Sequence, residues 1–156
     1  MRLPPVLLAT ALLALACADG GDGGDAPCAG GQLDEAGGLC WQDPPADGSF
    51  EWQAGIDACD ALVLGDRDDW RLPTRDELAS LLGGCDDQVL AGEAGYCAPC
   101  ADSARCAAML GDDGGWYWSS TPRDSNYAWG AGFADGRIGY DYADEVLDVR
   151  CVRPAP

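Results

Sequence analysis

DWRLPTRDEL, residues 69–78, is the stretch whose reading decides the fold. Trp70 and Leu72 alternate with Arg71, as in a strand packed on one face. Pro73 holds the residue before it extended. Thr74 and Glu77 stand at capping-box spacing: the Thr hydroxyl accepts from the amide of residue 77, and the Glu carboxylate accepts from the Thr amide. Leu78, Leu81 and Leu82 then form the apolar stripe of a short helix that runs out at Gly83-Gly84. A strand end therefore turns a corner directly into a capped helix. Arg71 and Arg75 are expected to pair with nearby carboxylates. The run reads as scaffold, not as the place where a ligand binds.

Toward the N-terminus, Trp52, Ile56, Cys59 and Val63 fall at i, i+4, i+7 and i+11, one stripe of a helix. Ser49 is its candidate N-cap, Gly65 stands beyond its end, and residues 66–69 read as an exposed turn. Cys59 thus points inward. Leu39–Gln42 is a strand candidate, followed by a turn-rich segment over residues 43–48. Residues 18–38 are rich in Gly, Asp and Ala and read as a flexible, self-repelling tether. Their glycines keep no Gly-X-Y period, which excludes a collagen-like stalk.

Residues 1–16 carry Arg2 and an apolar run from Val6 to Ala16, the pattern of an export signal and too short to span a bilayer. Leu13-Ala14-Leu15-Ala16-Cys17 resembles a bacterial lipobox, with Ala14 where Leu is usual, so Cys17 is the candidate lipidated residue and residues 17–38 the lipid attachment and tether. Ordinary cleavage near Ala16 or Ala18 is the alternative. Ala18 and Asp19 resemble outer-membrane sorting residues.

Toward the C-terminus, residues 85–106 form a cysteine-rich insertion too polar to join a core, and residues 111–115 a loop. Acids at Asp86 and Asp87 and in that loop could offer oxygen to Ca²⁺, but no spaced calcium-loop pattern is present. Trp116 to Thr121 reads as a strand. Tyr127, Trp129, Ala131 and Phe133 alternate along a second. Asp135-Gly136 reads as a two-residue hairpin turn, with 137–142 as the return strand and 146–153 as the last. An exposed aromatic row could stack on sugar rings, although most of these rings are expected in the core.

Composition narrows the chemistry. The 156 residues leave room for one domain. The net charge is −18, every basic residue is Arg, and there is neither Lys nor His. Nucleic acid and anionic membrane surfaces, which need basic clusters, are poor partners. Without His or Lys there is no Ser-His or Cys-His pair, no imidazole metal ligand and no Schiff-base lysine. No catalytic residue, resident metal or cofactor is indicated, and the chain is not expected to be an enzyme.

Beyond Cys17 stand Cys28, Cys40, Cys59, Cys85, Cys97, Cys100, Cys106 and Cys151. An even set after an export signal reads as a disulfide framework. Zinc held by Cys97 and Cys100 with Cys85 or Cys106, or a redox role for the Cys97-Ala-Pro-Cys100 pair, are the alternatives.

A family resemblance emerges from several motifs in order: Trp52…Ile56-Asp57…Cys59…Leu62, the 69–78 run, Tyr117-Trp-Ser-Ser-Thr121, Ala128-Trp129, Phe133…Gly136, and Val149-Arg-Cys-Val-Arg153. Over residues 39–153 the chain resembles the Lcl C-terminal domain family. The resemblance implies an α+β, C-type-lectin-like fold: two helices packed on antiparallel strands, with the chain ends brought together. It implies a Cys59–Cys151 disulfide; Cys28–Cys40 is then available to pin the tether to the first strand, and Cys85–Cys97 with Cys100–Cys106 is one order of pairing inside the insertion, where the connectivity is left open. The family's named member is an adhesin that binds sulfated polysaccharides, which suits neither this acidic composition nor the absent stalk. The expected function is an exported, surface-tethered recognition module for a neutral glycan or an envelope protein. A structural envelope lipoprotein without a specific ligand is the alternative. An enzyme on a fold like that of the formylglycine-generating enzymes comes third, since fold analogy supplies no site.

Overall fold

The protein is seen in a computed structural model, which describes residues 27–110 and 114–156. Nine strands run in chain order: β1 (Gly31–Asp34), β2 (Leu39–Gln42), β3 (Ser49–Phe50), β4 (Gly95–Tyr96), β5 (Trp116–Pro122), β6 (Tyr127–Gly132), β7 (Arg137–Tyr142), β8 (Leu147–Asp148) and β9 (Val152–Pro154). Among the described residues four α-helices accompany them, α1 (Trp52–Asp60), α2 (Arg75–Leu82), α3 (Asp87–Leu90) and α4 (Ala104–Leu110), with a single 3-10 turn at Cys100–Asp102. A small sheet of order β1-β2-β9 joins the two ends of the domain, and a larger one runs β3-β8-β5-β6-β7-β4. All pairings are antiparallel except the β5–β8 contact at Tyr117 and Asp148. The α+β class expected from the sequence is the observed one.

The larger sheet separates two cores. Tyr117 and Trp118 are consecutive and both buried, so they point to opposite faces. Tyr117 joins Leu78, Leu81, Leu82, Phe133 and Ile138 in one cluster, and Trp118 joins Cys59, Trp70, Leu72 and Val149 in the other. α1 is tied to the sheet through Trp118, whose indole donates to the Phe50 carbonyl, and through Trp52, whose indole donates to Ser119.

The 69–78 corner has the form its residues dictate. Trp70 and Leu72 are buried, and Arg71 between them exchanges two backbone hydrogen bonds with Val152. The capping box closes in both directions: Thr74 Oγ1 accepts from the Glu77 amide, and Glu77 Oε2 accepts from the Thr74 amide. The corner is clamped to β5, where Ser120 donates its amide to Pro73 and Thr121 Oγ1 accepts from the Arg75 amide.

Five expectations are corrected. First, the 17–38 tether ends sooner than its composition suggests, because Gly31–Asp34 pairs with β2 along its length. Backbone pairing needs no large side chains, and Asp34 is buried where its carboxylate meets the Trp41 indole and the Arg105 guanidinium. Second, the α1 stripe stops at Cys59. Val63 is exposed and Ser49 lies in β3, leaving Glu51 as an N-cap without a side-chain bond. The chain leaves the helix because Leu64 and Arg67 pair across a tight turn, with Gly65 and Asp66 both at positive φ.

Third, the cysteine-rich insertion is core-forming. Val89, Cys97, Cys100 and Cys106 are buried in the α2-side cluster, since disulfide sulfur is apolar volume. Fourth, the β6–β7 connection spans four residues, 133–136, instead of two. Phe133 is drawn into the core, and the insertion docks there through Cys97 N to the Gly136 carbonyl and Cys100 N to the Phe133 carbonyl. Fifth, the last strand is split into β8 and β9. Between them Cys151 is bonded to Cys59, its amide donates to the Gln42 side chain, and Arg150 Nε donates to the Gln42 carbonyl.

Candidate functional site

The four disulfides are Cys28–Cys40, Cys59–Cys151, Cys85–Cys97 and Cys100–Cys106. All eight of these sulfurs are therefore committed. Such a set fits an oxidising, extracytoplasmic compartment. Cys17 and the signal segment lie outside the described residues. No helix among the described residues is long and apolar enough to cross a membrane. Of the acids weighed for Ca²⁺, Asp86 is engaged at the start of α3, its carboxylate accepting from the Val89 and Tyr96 amides. No metal-competent cluster of three His, Cys, Asp or Glu occurs among the described residues.

The feature with recognition chemistry lies where β6 and β7 run out beyond the cover of α2. Tyr127 pairs with Tyr142, Trp129 with Tyr140 and Ala131 with Ile138, so all six share one face. Along that face the burial grades outward. Ile138 and Ala131 are fully buried, Trp129 is 8% exposed, Tyr140 37% and Tyr142 51%. The inner part is core, and the outer part is an open tyrosine shelf.

The rings lean on one another. Tyr140 meets Trp129 edge-on at 5.4 Å and Tyr127 edge-on at 5.7 Å between centroids, while Tyr127 and Tyr142 tilt together at 4.3 Å. Such contacts hold large rings in place at a water-exposed edge. Two guanidinium groups bracket them. Arg75, buried under α2, lies 4.7 Å over Trp129, and Arg123 lies 3.9 Å over Tyr140 and 5.9 Å from Tyr127. The Tyr127 phenol is pushed up to about 12, first by its hydrogen bond with Tyr142 and then by desolvation and the charges of Tyr142 and Asp124, against the opposing charge of Arg123. It stays neutral through the physiological range.

The turn between β5 and β6 sets the shelf's rim. Asp124 accepts from the Asn126 and Tyr127 amides with one oxygen and pairs with Arg123 through the other. Beside it opens a hollow of about 420 Å³ lined by Ser125, Asn126, Tyr142, Ala143 and Asp144. Its backbone is fixed: Ala143 N donates to the Asn126 carbonyl, Glu145 N to Tyr142, and Trp52 at the start of α1 to Ala143. One wall is an aromatic face. The others offer a hydroxyl, an amide and a carboxylate, which can donate to and accept from the hydroxyl groups of a ring stacked on Tyr142.

Two other hollows are less well furnished. One of about 340 Å³ lies between α2 and α3, where the Arg75 guanidinium is already taken up by the Val89 and Glu93 carbonyls and Asp76. One of about 490 Å³ lies between β1 and α4, around the Asp34–Arg105 pair. Burial pushes the Asp34 carboxyl up, but Arg105, the Gly37 amide and the Trp41 indole outweigh it and hold the carboxyl below its ordinary value.

Alternation along β6 placed Tyr127 and Trp129 in one row from sequence, while Tyr140, Tyr142 and Arg123 were not singled out. The available signal was the antiparallel return after residue 136. A register change of two residues moves cross-strand partners but keeps each side chain on its face, so the tyrosines of β7 fall on this face for either loop length.

A comparison with curated proteins gives no match. The model of one family does match, over residues 30–153, which takes in both sheets up to Arg153, the shelf, and three of the four disulfides in full, with Cys40 of the fourth. Its start at residue 30 agrees with a domain that begins at β1, and the chain belongs to the Lcl C-terminal domain family.

Proposed function

We propose that this is an exported, non-catalytic recognition domain that binds a glycan without acidic groups through the tyrosine shelf and its hollow. The observation that carries this reading is the open Tyr142 ring beside Ser125, Asn126 and Asp144. A sugar ring presents polarised C–H groups to the negative face of an aromatic ring and hydroxyls to polar neighbours. The net charge of −18 repels polyanions and supports neutral glycans over sulfated ones. The lack of His and Lys and the engagement of eight cysteines in disulfides support a binding role over a catalytic one.

In this reading Cys17 carries a lipid that tethers the domain at the cell envelope. Metabolic labelling with a fatty acid tests that part, and a Cys17→Ser protein that still labels would remove it. Glycan-array binding by the disulfide-intact chain, repeated with Tyr142→Ala, tests the site. Binding is expected for the parent and its loss for the variant. Silence on the array together with an empty envelope pull-down would leave the structural-lipoprotein reading. One observation favours that second reading: Arg123 already covers the Tyr140 face from within the molecule.

A further inference from the structure

The geometry points to a narrower ligand class, and this inference rests on the glycan reading above: we propose that the shelf and hollow select sugars whose rings carry a protonated amine. Three observations at the shelf and its hollow carry it. First, the shelf already holds a cation, since the Arg123 guanidinium lies 3.9 Å over Tyr140 and within 5.9 Å of Tyr127. Rings of this shelf therefore pair with positive charge, and Tyr142 is the exposed ring over which no guanidinium lies among the described residues. Arg123 itself is matched by Asp124 at 2.9 Å, so it does not present an unbalanced charge to an incoming amine.

Second, the hollow next to Tyr142 contains a carboxylate that the protein does not neutralise. Asp144 makes no salt bridge among the described residues, in contrast to Asp34, Asp43, Asp76, Glu77 and Asp124, each of which pairs with an Arg. Glu145 follows it in the chain and adds charge of the same sign, and Arg123 is the basic residue at the open end of the shelf, Arg75 lying buried beside Trp129. Third, the hollow is 420 Å³ with a hydroxyl and an amide besides the carboxylate, room and chemistry for a sugar ring, where a lone ammonium would need only the aromatic faces. An amine on a ring seated over Tyr142 would meet Asp144 in a charge-assisted hydrogen bond while Asn126 and Ser125 meet the hydroxyls. The field of an 18-fold negative chain concentrates such ligands at the surface.

The test uses the full disulfide-bonded chain and three probes: a glucosamine tetramer, the same tetramer fully N-acetylated, and a tetra-arginine peptide, with affinities read by calorimetry at low and moderate salt. The free-amine tetramer is expected to bind about tenfold or more tightly than the acetylated one, with the advantage shrinking as salt rises. Asp144→Asn should remove that advantage, bringing the two tetramers to equal affinity, and Tyr142→Ala should abolish binding of both. Both side chains are exposed, so neither substitution threatens the fold. Equal affinity for the two tetramers, or an advantage that survives Asp144→Asn, would overturn the amine assignment and leave the glycan reading standing. Displacement of the sugar by the peptide at equal or lower concentration would overturn it in favour of a basic protein partner. Failure of both tetramers, with no other glycan bound on an array, would overturn the glycan reading itself.

Discussion

Arg75 shows how much one residue of the 69–78 run can do beyond forming its corner. Its side chain is buried, with one nitrogen shared between the Val89 and Glu93 carbonyls, another on Asp76, and the guanidinium plane over Trp129. Asp76 is almost fully exposed, so the carbonyls and the ring are the stronger partners. Trp129 in turn meets Tyr140, so Arg75 supports the floor of the shelf from beneath. The run remains scaffold, but it is scaffold for the site. Arg75→Ala would leave two carbonyls without their donor in a buried place and is expected to cost about 3 kcal/mol in urea unfolding. Arg75→Lys should recover only part of this, because one ammonium cannot reproduce the fork and the stacking together. At the exposed end, the Tyr127 phenol should titrate near 12 rather than at its ordinary 10.0. With the Tyr142 hydroxyl removed in Tyr142→Phe, its titration, followed by NMR of the ring carbon, should move down toward the ordinary value. An unchanged titration would mean that the two hydroxyls do not interact.

At the scale of elements, what was legible from sequence was local. The corner combines a proline, a cap spacing of three and a leucine stripe, all within fourteen residues, and no distant partner is needed to read it. What was not legible depended on distant partners. β1 has little apolar content of its own and becomes a strand because β2 lies beside it. The insertion becomes core because its disulfides bury sulfur, and the β6–β7 loop opens because Cys97 and Cys100 dock onto it. The shelf could be located on a face but not at an exposed end, since only the packing of α2 decides which half of that face is covered. The capping box carries a pH signature of its own. Burial pushes the Glu77 carboxyl up, but the Arg71 fork and the Thr74 amide more than reverse this, so it sits below its ordinary 4.5. A carboxyl lowered on folding stabilises the fold fully above its unfolded value, and that contribution is lost as pH falls through the folded value. Arg71 is more than a third exposed, so solvent screening keeps the contribution to about 1 kcal/mol. Glu77→Gln should therefore be less stable than the parent near neutrality by about that amount, and the gap should close as pH falls well below 4.5. A gap that persisted in acid would locate the effect in packing instead of charge.

For the molecule as a whole, the decisive covalent link is Cys59–Cys151. It joins α1 to the segment between β8 and β9, where the chain passes from the large sheet to the small one that unites the two ends of the domain. Its sequence separation is 92, against 12 for Cys28–Cys40 and for Cys85–Cys97 and 6 for Cys100–Cys106. If disulfides stabilise chiefly by restricting the unfolded chain, the benefit grows with the logarithm of the closed loop: about 4–5 kcal/mol for the long link and about 2 kcal/mol for the shortest. Packing does not blur the comparison much, because Cys59 and Cys151 are buried to the same degree as Cys100 and Cys106. Replacing both members of a pair by Ala removes similar sulfur volume in each case and leaves loop closure as the main difference. The Cys59→Ala/Cys151→Ala protein should thus lose roughly 2 kcal/mol more than Cys100→Ala/Cys106→Ala, measured by urea unfolding at matched pH and salt. A second consequence separates mechanism from magnitude. With the long link gone, the unfolded chain can expand further, so the dependence of unfolding free energy on urea should steepen in that variant, and much less in the other. Equal losses and equal slopes would show that the long disulfide acts through native contacts around Trp118 and Val149 and not through the ensemble it closes.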